Sequence, residues 1–105
     1  MEAKRRVQRQ VAELFRTPHP RFRSVSVSIE ADGSLVMSTQ DMGPDVEQTW
    51  GDADYEFWTR VPAHAVALLA WRLLTERHSG HADATDLLRN YCQQHGIPCE
   101  WGSWT

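Results

Sequence analysis

Residues 22–41 read FRSVSVSIEADGSLVMSTQD, and this stretch decides the fold. Residues 22–30 alternate strictly between apolar and polar side chains, which predicts a half-buried β-strand. Val25, Val27 and Ile29 are expected to face the interior, while the serines between them face solvent.

A turn and a second strand complete the stretch. Asp32-Gly33 is a strong hairpin signal, so residues 34–41 are expected to return as an antiparallel partner strand. The serines, threonine and glutamine of this partner indicate that one face of the pair stays wet.

The segment before the hairpin, residues 2–16, is interpreted as an amphipathic helix. Apolar side chains recur there at helical spacing, and Thr17-Pro18 would end the helix. Residues 1–23 hold seven Lys and Arg against two Glu, whereas the remaining 82 hold four Arg and twelve Asp and Glu. The basic residues of the segment, which could contact nucleic acid, are Lys4, Arg5, Arg6 and Arg9. A solvated helix face is preferred, because the acidic remainder would repel phosphate.

After the hairpin, Pro44 is expected to open a short helical turn over residues 45–49. Residues 54–61 alternate again and predict a third strand. Its predicted core face carries Tyr55, Phe57, Thr59 and Val61, and its outer face carries Asp54, Glu56, Trp58 and Arg60.

The C-terminal part predicts two helices and a strand. A helix from Ala63 to about Arg77 is so apolar that we expect it to be the central packing element against the sheet. Asp83 is expected to cap the next helix. Its buried side is predicted to hold Leu87, Leu88, Tyr91 and Cys92, with Gly96 after its C-terminus. Cys99 to Trp104 is interpreted as a last strand.

These elements predict one α+β domain over residues 1–105. We expect about four strands in a mainly antiparallel sheet, with three helices packed largely on one face, in the order α-β-β-β-α-α-β. No apolar run could span a bilayer and no signal sequence is visible, so the predicted location is the cytoplasm, without a membrane partner. Two cysteines fit a reduced protein as well as one disulfide.

Catalytic and metal sites find little support. Carboxylates at positions 52, 54 and 56 resemble the start of a calcium loop, but Phe57 and Ala63 stand where the loop needs Gly and Glu. The spacing of His78 and His81 does not match that of a structural zinc site with four Cys or His ligands. No nucleophile elbow, phosphate loop or dinucleotide motif is present. We therefore predict no enzyme, no cofactor and no metal, with a small metal-dependent enzyme kept as an alternative.

The acidic, aromatic segment from Asp41 to Trp58 is the predicted functional surface. Positions 41–56 hold six carboxylates and no Lys or Arg. Such a surface speeds capture of a basic partner, and exposed tryptophan is typical of interface hot spots. The predicted partner-binding residues are Asp45, Glu47, Trp50, Asp52, Asp54, Glu56 and Trp58. An exposed Trp58 would also suit a homodimer contact.

Four short motifs carry a resemblance to a known protein type: Asp41-Met42-Gly43-Pro44, Trp50-Gly51-Asp52-Ala53-Asp54-Tyr55-Glu56, His95-Gly96-Ile97-Pro98 and Ser103-Trp104. On these, the last two-thirds of the chain resembles small bacterial proteins of immunity-protein type, the antidotes of toxin–immunity systems. The resemblance implies a non-catalytic binder that neutralises a basic, nuclease-like toxin, and it implies no catalytic residue. The alternative is a nucleic-acid-binding regulator that uses the N-terminal helix.

Overall fold

The computed structural model describes residues 8–18, 22–42 and 54–104. Its elements are β1 (Gln8–Arg16), β2 (Phe22–Glu30), β3 (Leu35–Met42), β4 (Asp54–Val61), α1 (Ala63–His78) and α2 (Ala84–Gln94). The strands form one antiparallel sheet in the order β1-β2-β3-β4. The α+β class was predicted, but the number of helices and the order α-β-β-β-α-α-β were wrong. The described chain has two helices, and its order is β-β-β-β-α-α. It divides into two compact units, Met1–Leu69 and Ala70–Thr105.

The largest correction concerns β1, which the apolar spacing predicted to be a helix. Gln8–Arg16 instead pairs with β2 as an edge strand, with register shifts at Arg9 and at Leu14. Each shift inserts an extra residue and interrupts the two-residue alternation, so that the apolar positions come to imitate a helical period. Val11 and Phe15 therefore lie on opposite faces of the sheet.

The hairpin between β2 and β3 was predicted correctly. The Gly33 amide donates to the Glu30 carbonyl at 2.9 Å, and the Glu30 amide donates to the Ser34 carbonyl at 2.9 Å. Gly33 has φ +88°, which only glycine adopts at little cost. This is a three-residue loop that ends in a left-handed glycine, and it fixes the register of both strands.

The Asp32 carboxylate holds this loop together. Its Oδ1 accepts from the Ser34 hydroxyl at 2.6 Å and from the Ser34 amide at 2.9 Å. On β4, Arg60 donates to Oδ2 at 3.0 Å. The bonds from the Ser34 hydroxyl and amide, and then those from Arg60, lower the pKa of Asp32 to about 2.

We expect Asp32→Asn to destabilise the protein at pH 6 but not near pH 2. The folded-state pKa of Asp32 is depressed, so its contribution is complete above the unfolded pKa of about 4 and is lost as pH falls towards 2. Urea midpoints of wild type and variant across this range measure the effect. Two parallel midpoint curves would contradict the expectation.

The buried residues of the sheet lie on the face that was expected to be exposed to solvent. The serine face, defined by Ser24, Ser26, Ser28, Ser38 and Trp58, holds Ser28 at 4% exposure and Val36 at 1%. On the opposite valine face, Ile29 is 40% exposed. The burial is concentrated at the hairpin end of the sheet, where α1 begins. The serine face is compatible with this burial because the Ser28 hydroxyl donates to the Glu30 carboxylate at 3.0 Å.

The α1 helix begins and ends close to the predicted bounds, but its predicted central packing role was wrong. No residue of α1 is buried, and Leu68, Trp71 and Leu73 are all more than half exposed. Its apolar side chains surround the axis instead of forming one stripe, so one packed face cannot cover them all.

The α2 helix differs from its prediction at the N-terminus and agrees with it at the C-terminus. Asp83 is the N-cap residue but makes no side-chain cap hydrogen bond, because its backbone is not in the extended capping conformation. Gly96, with φ +68°, follows the C-cap. The Ile97 amide donates to the Cys92 carbonyl at 2.8 Å, which closes a Schellman motif. Of the predicted buried side, only Cys92 is buried.

The predicted last strand over Cys99 to Trp104 was also wrong. Residues 97–104 are irregular, and both Trp101 and Trp104 are exposed. Without one buried face, nothing fixes this segment in a β-ladder.

The two thiols differ in environment, and both are free. Burial, together with the neighbouring Cys99, raises the pKa of the Cys92 thiol. Since the thiolate is the reactive form, we expect an alkylating reagent such as iodoacetamide to modify the exposed Cys99 first and Cys92 in a slower phase. Cys99→Ser should leave only the slow phase. Two equally fast thiols in wild type would contradict this.

Candidate functional site

The candidate site lies on the serine face of β4 and its neighbours. The antiparallel register places Trp58 opposite Ser38, Ser38 opposite Ser26, and Ser26 opposite Glu13. Because paired residues of antiparallel strands share a face, these four side chains form one row across the whole sheet. The hydroxyls of Ser26 and Ser38 lie 3.2 Å apart within it.

A second row runs beside the first. It places Glu56 opposite Gln40, Gln40 opposite Ser24, and Ser24 opposite Arg16. Glu56 and Trp58 are two positions apart on β4, so their side chains emerge on the same face. Trp58 is 57% exposed, and Glu56 is exposed as well. An aromatic plane therefore stands next to a carboxylate, an arrangement that can stack on a guanidinium while accepting its hydrogen bonds.

Two basic side chains on the serine face, among the described residues, have acidic partners. Arg60 binds Asp32 as described, and Arg16 Nε donates to Glu13 Oε1 at 2.6 Å. These pairs are exposed and contribute little stability.

A third ion pair lies on the valine face. Arg23 binds Asp41 through two hydrogen bonds, Nε to Oδ1 at 2.6 Å and Nη2 to Oδ2 at 2.8 Å. The bond from Arg23 lowers the pKa of Asp41, and the same bond raises the pKa of Arg23. The Arg23 guanidinium carbon lies 5.9 Å from the Phe57 ring centroid. Asp41 thus serves the sheet, although the sequence grouped it with the acidic surface.

Only part of the predicted binding set can be placed. Glu56 and Trp58 lie together on the serine face. Asp54 begins β4, but its side chain falls outside the described part of the chain. The residues that lie outside the described residues altogether are Asp45, Glu47, Trp50 and Asp52, with the predicted helical turn over 45–49.

Sequence reasoning missed the neighbours that surround Trp58. Ser38 and Gln40 were placed on a wet strand, but not beside Trp58 and Glu56. The Asp32-Gly33 turn carried the missing signal for β3, because a three-residue loop fixes that register. No sequence pattern specifies the pairing of β4 with β3.

The described residues contain neither a group of three metal ligands nor a helix that could span a membrane. Within them, no three His, Cys, Asp or Glu side chains are grouped so as to hold a metal ion. Among the helices in the described ranges, none is long and apolar enough to cross a membrane. Comparison with protein-family models, with curated proteins and with solved structures found no match.

Proposed function

We propose that this protein is a non-catalytic binding module that recognises a basic protein surface through Glu56 and Trp58. The observation that carries the proposal is a tryptophan 57% exposed on a regular strand, with a carboxylate two residues away on the same face. Interfaces are enriched in tryptophan at their centres, and a Trp anchor beside a desolvated charge is typical of a hot spot.

The charge around this surface supports a basic partner. The segment that leads into β4 is acidic, since positions 41–56 hold six carboxylates and no Lys or Arg. The proposal extends the contact surface into this segment, with Asp45, Glu47, Trp50, Asp52 and Asp54 as further contact residues. A field of one sign steers an oppositely charged partner and raises the association rate.

The kind of partner follows from the same chemistry. Nucleases bind phosphates in positively charged channels, and a carboxylate-rich surface can occupy such a channel in place of the nucleic acid. A nuclease-like toxin is the partner that we propose, which makes this chain an immunity protein. The motif resemblance to immunity-type proteins supports the same choice.

The test compares three baits in affinity capture followed by titration calorimetry with the captured partner. The baits are wild type, a Glu56→Lys/Trp58→Ala variant and a Thr59→Lys control, which also introduces a lysine but on the opposite face of β4. We expect a basic protein to be retained by wild type and by the control, but not by the double variant.

Titration of the single variants then separates the two contributions. Trp58→Ala should weaken the complex about thirtyfold or more, as expected of a hot spot. Glu56→Lys should slow association and flatten its dependence on salt. Unchanged affinity in both variants, or a partner that is acidic, would overturn the proposal.

A further inference from the structure

A groove runs between the second half of α1 and the α2 helix, within the unit Ala70–Thr105. Its volume is about 530 Å³. This falls in the range of small-molecule binding sites, which are mostly apolar with a few polar groups. The apolar part of the lining comes from Leu73, Leu74, Leu87, Leu88 and Tyr91.

The polar part of the lining is cationic or neutral. Arg77, His78 and His81 come from the last turn of α1 and the turn after it, and Asn90 and Gln94 come from α2. No Asp or Glu is among the described lining residues. An anion in the groove therefore meets the positive charge of Arg77, and the described lining adds no carboxylate that would repel it.

The three basic side chains are held in place. The Arg77 guanidinium carbon lies 5.7 Å from the Tyr91 ring centroid, so the charge stands over the wall of the groove. The rings of His78 and His81 are 6.3 Å apart at 79°. His78 Nδ1 is buried and has no hydrogen-bond partner among the described residues.

The geometry points to a small amphipathic anion, an aliphatic or aromatic carboxylate, as the occupant of this groove. The leucines and Tyr91 would cover its apolar body, while the Arg77 guanidinium binds the carboxylate. Guanidinium and carboxylate form charge-assisted hydrogen bonds, and these gain strength beside an apolar wall. The groove residues do not include Glu56 or Trp58, so this proposal is tested independently of the protein-binding proposal.

A matched series of ten-carbon probes tests the charge preference. Wild-type protein is titrated by calorimetry with decanoate and decyltrimethylammonium below their critical micelle concentrations, and with decanol below its solubility limit. We expect decanoate to bind about tenfold tighter than decanol, the effect of one charge-assisted contact. The cationic probe should bind weakest. Equal affinity for all three probes, or no binding of decanoate, would overturn the proposal.

Variants place the site and separate binding from folding. Arg77→Gln should remove most of the preference for decanoate over decanol, whereas binding of decanol itself changes little. Arg72→Gln is the control, because Arg72 lies on the same helix but pairs with Glu76 at 3.3 Å. Leu74→Glu should abolish binding of decanoate by placing a carboxylate in the groove. If Arg72→Gln lowers the preference as much as Arg77→Gln does, the groove is not the site.

Discussion

Val36→Ala is expected to destabilise the protein by about 2 to 3 kcal/mol, the largest effect of any conservative truncation in the described sheet. Val36 is 1% exposed on the serine face, between Ser28 of β2 and Arg60 of β4. Among the described residues, Val36 and Cys92 are the buried apolar side chains, and Val36 is much the more enclosed. Urea denaturation followed by circular dichroism measures the loss.

Met37→Ala is the matched control for this experiment. Met37 is the next residue of the same strand, but its side chain lies on the valine face and is 45% exposed. Its truncation removes more atoms from the side chain but less buried surface, so we expect a loss of about 1 kcal/mol or less. If Met37→Ala costs more than Val36→Ala, the valine face is the covered one in solution.

The hairpin shows what local sequence determines. Its strand limits, its turn and its register follow from the alternation of residues 22–30 and from Asp32-Gly33, and all of these depend on neighbours in the chain. The start of α1 after Pro62 and its end near Arg77 were predictable for the same reason. Local patterns fix local elements.

Which face of the hairpin is buried is not a local property. Alternation separates the serines from the valines, and hydrophobicity favours burying the valines. The structure instead buries Ser28 and Glu30, where a hydroxyl and a carboxylate bond to each other. The burial of this pair depends on the register of the sheet and on where α1 begins.

The prediction of a helix at β1 was wrong for a different reason. A strand with two bulges has no constant period, so its pattern cannot be separated from that of a short helix. The segment forms a strand and not a helix because the edge of β2 has backbone groups that need hydrogen-bond partners. In the candidate site, alternation was enough to place Glu56 and Trp58 on one face, but their neighbours depended on sheet order.

Gly33→Val is the second substitution expected to have a large effect, a loss of about 2 to 3 kcal/mol. Gly33 has φ +88°, a conformation that costs an L-residue about 1 to 2 kcal/mol. A Cβ at this position would also lie 3.4 Å from the Ala63 Cβ, at the start of α1. That distance is an ordinary contact for one methyl group, and the branched side chain of valine adds bulk next to it.

Two further variants separate backbone strain from crowding. Gly33→Ala should carry the strain alone, about 1 to 2 kcal/mol, because its methyl group fits against Ala63. Adding Ala63→Gly to Gly33→Val should cost less than the sum of the two single losses, since the second change makes room for the first. Strict additivity would mean that Gly33 is required only for its left-handed backbone. Non-additivity would show that the same glycine also lets α1 begin close to the hairpin.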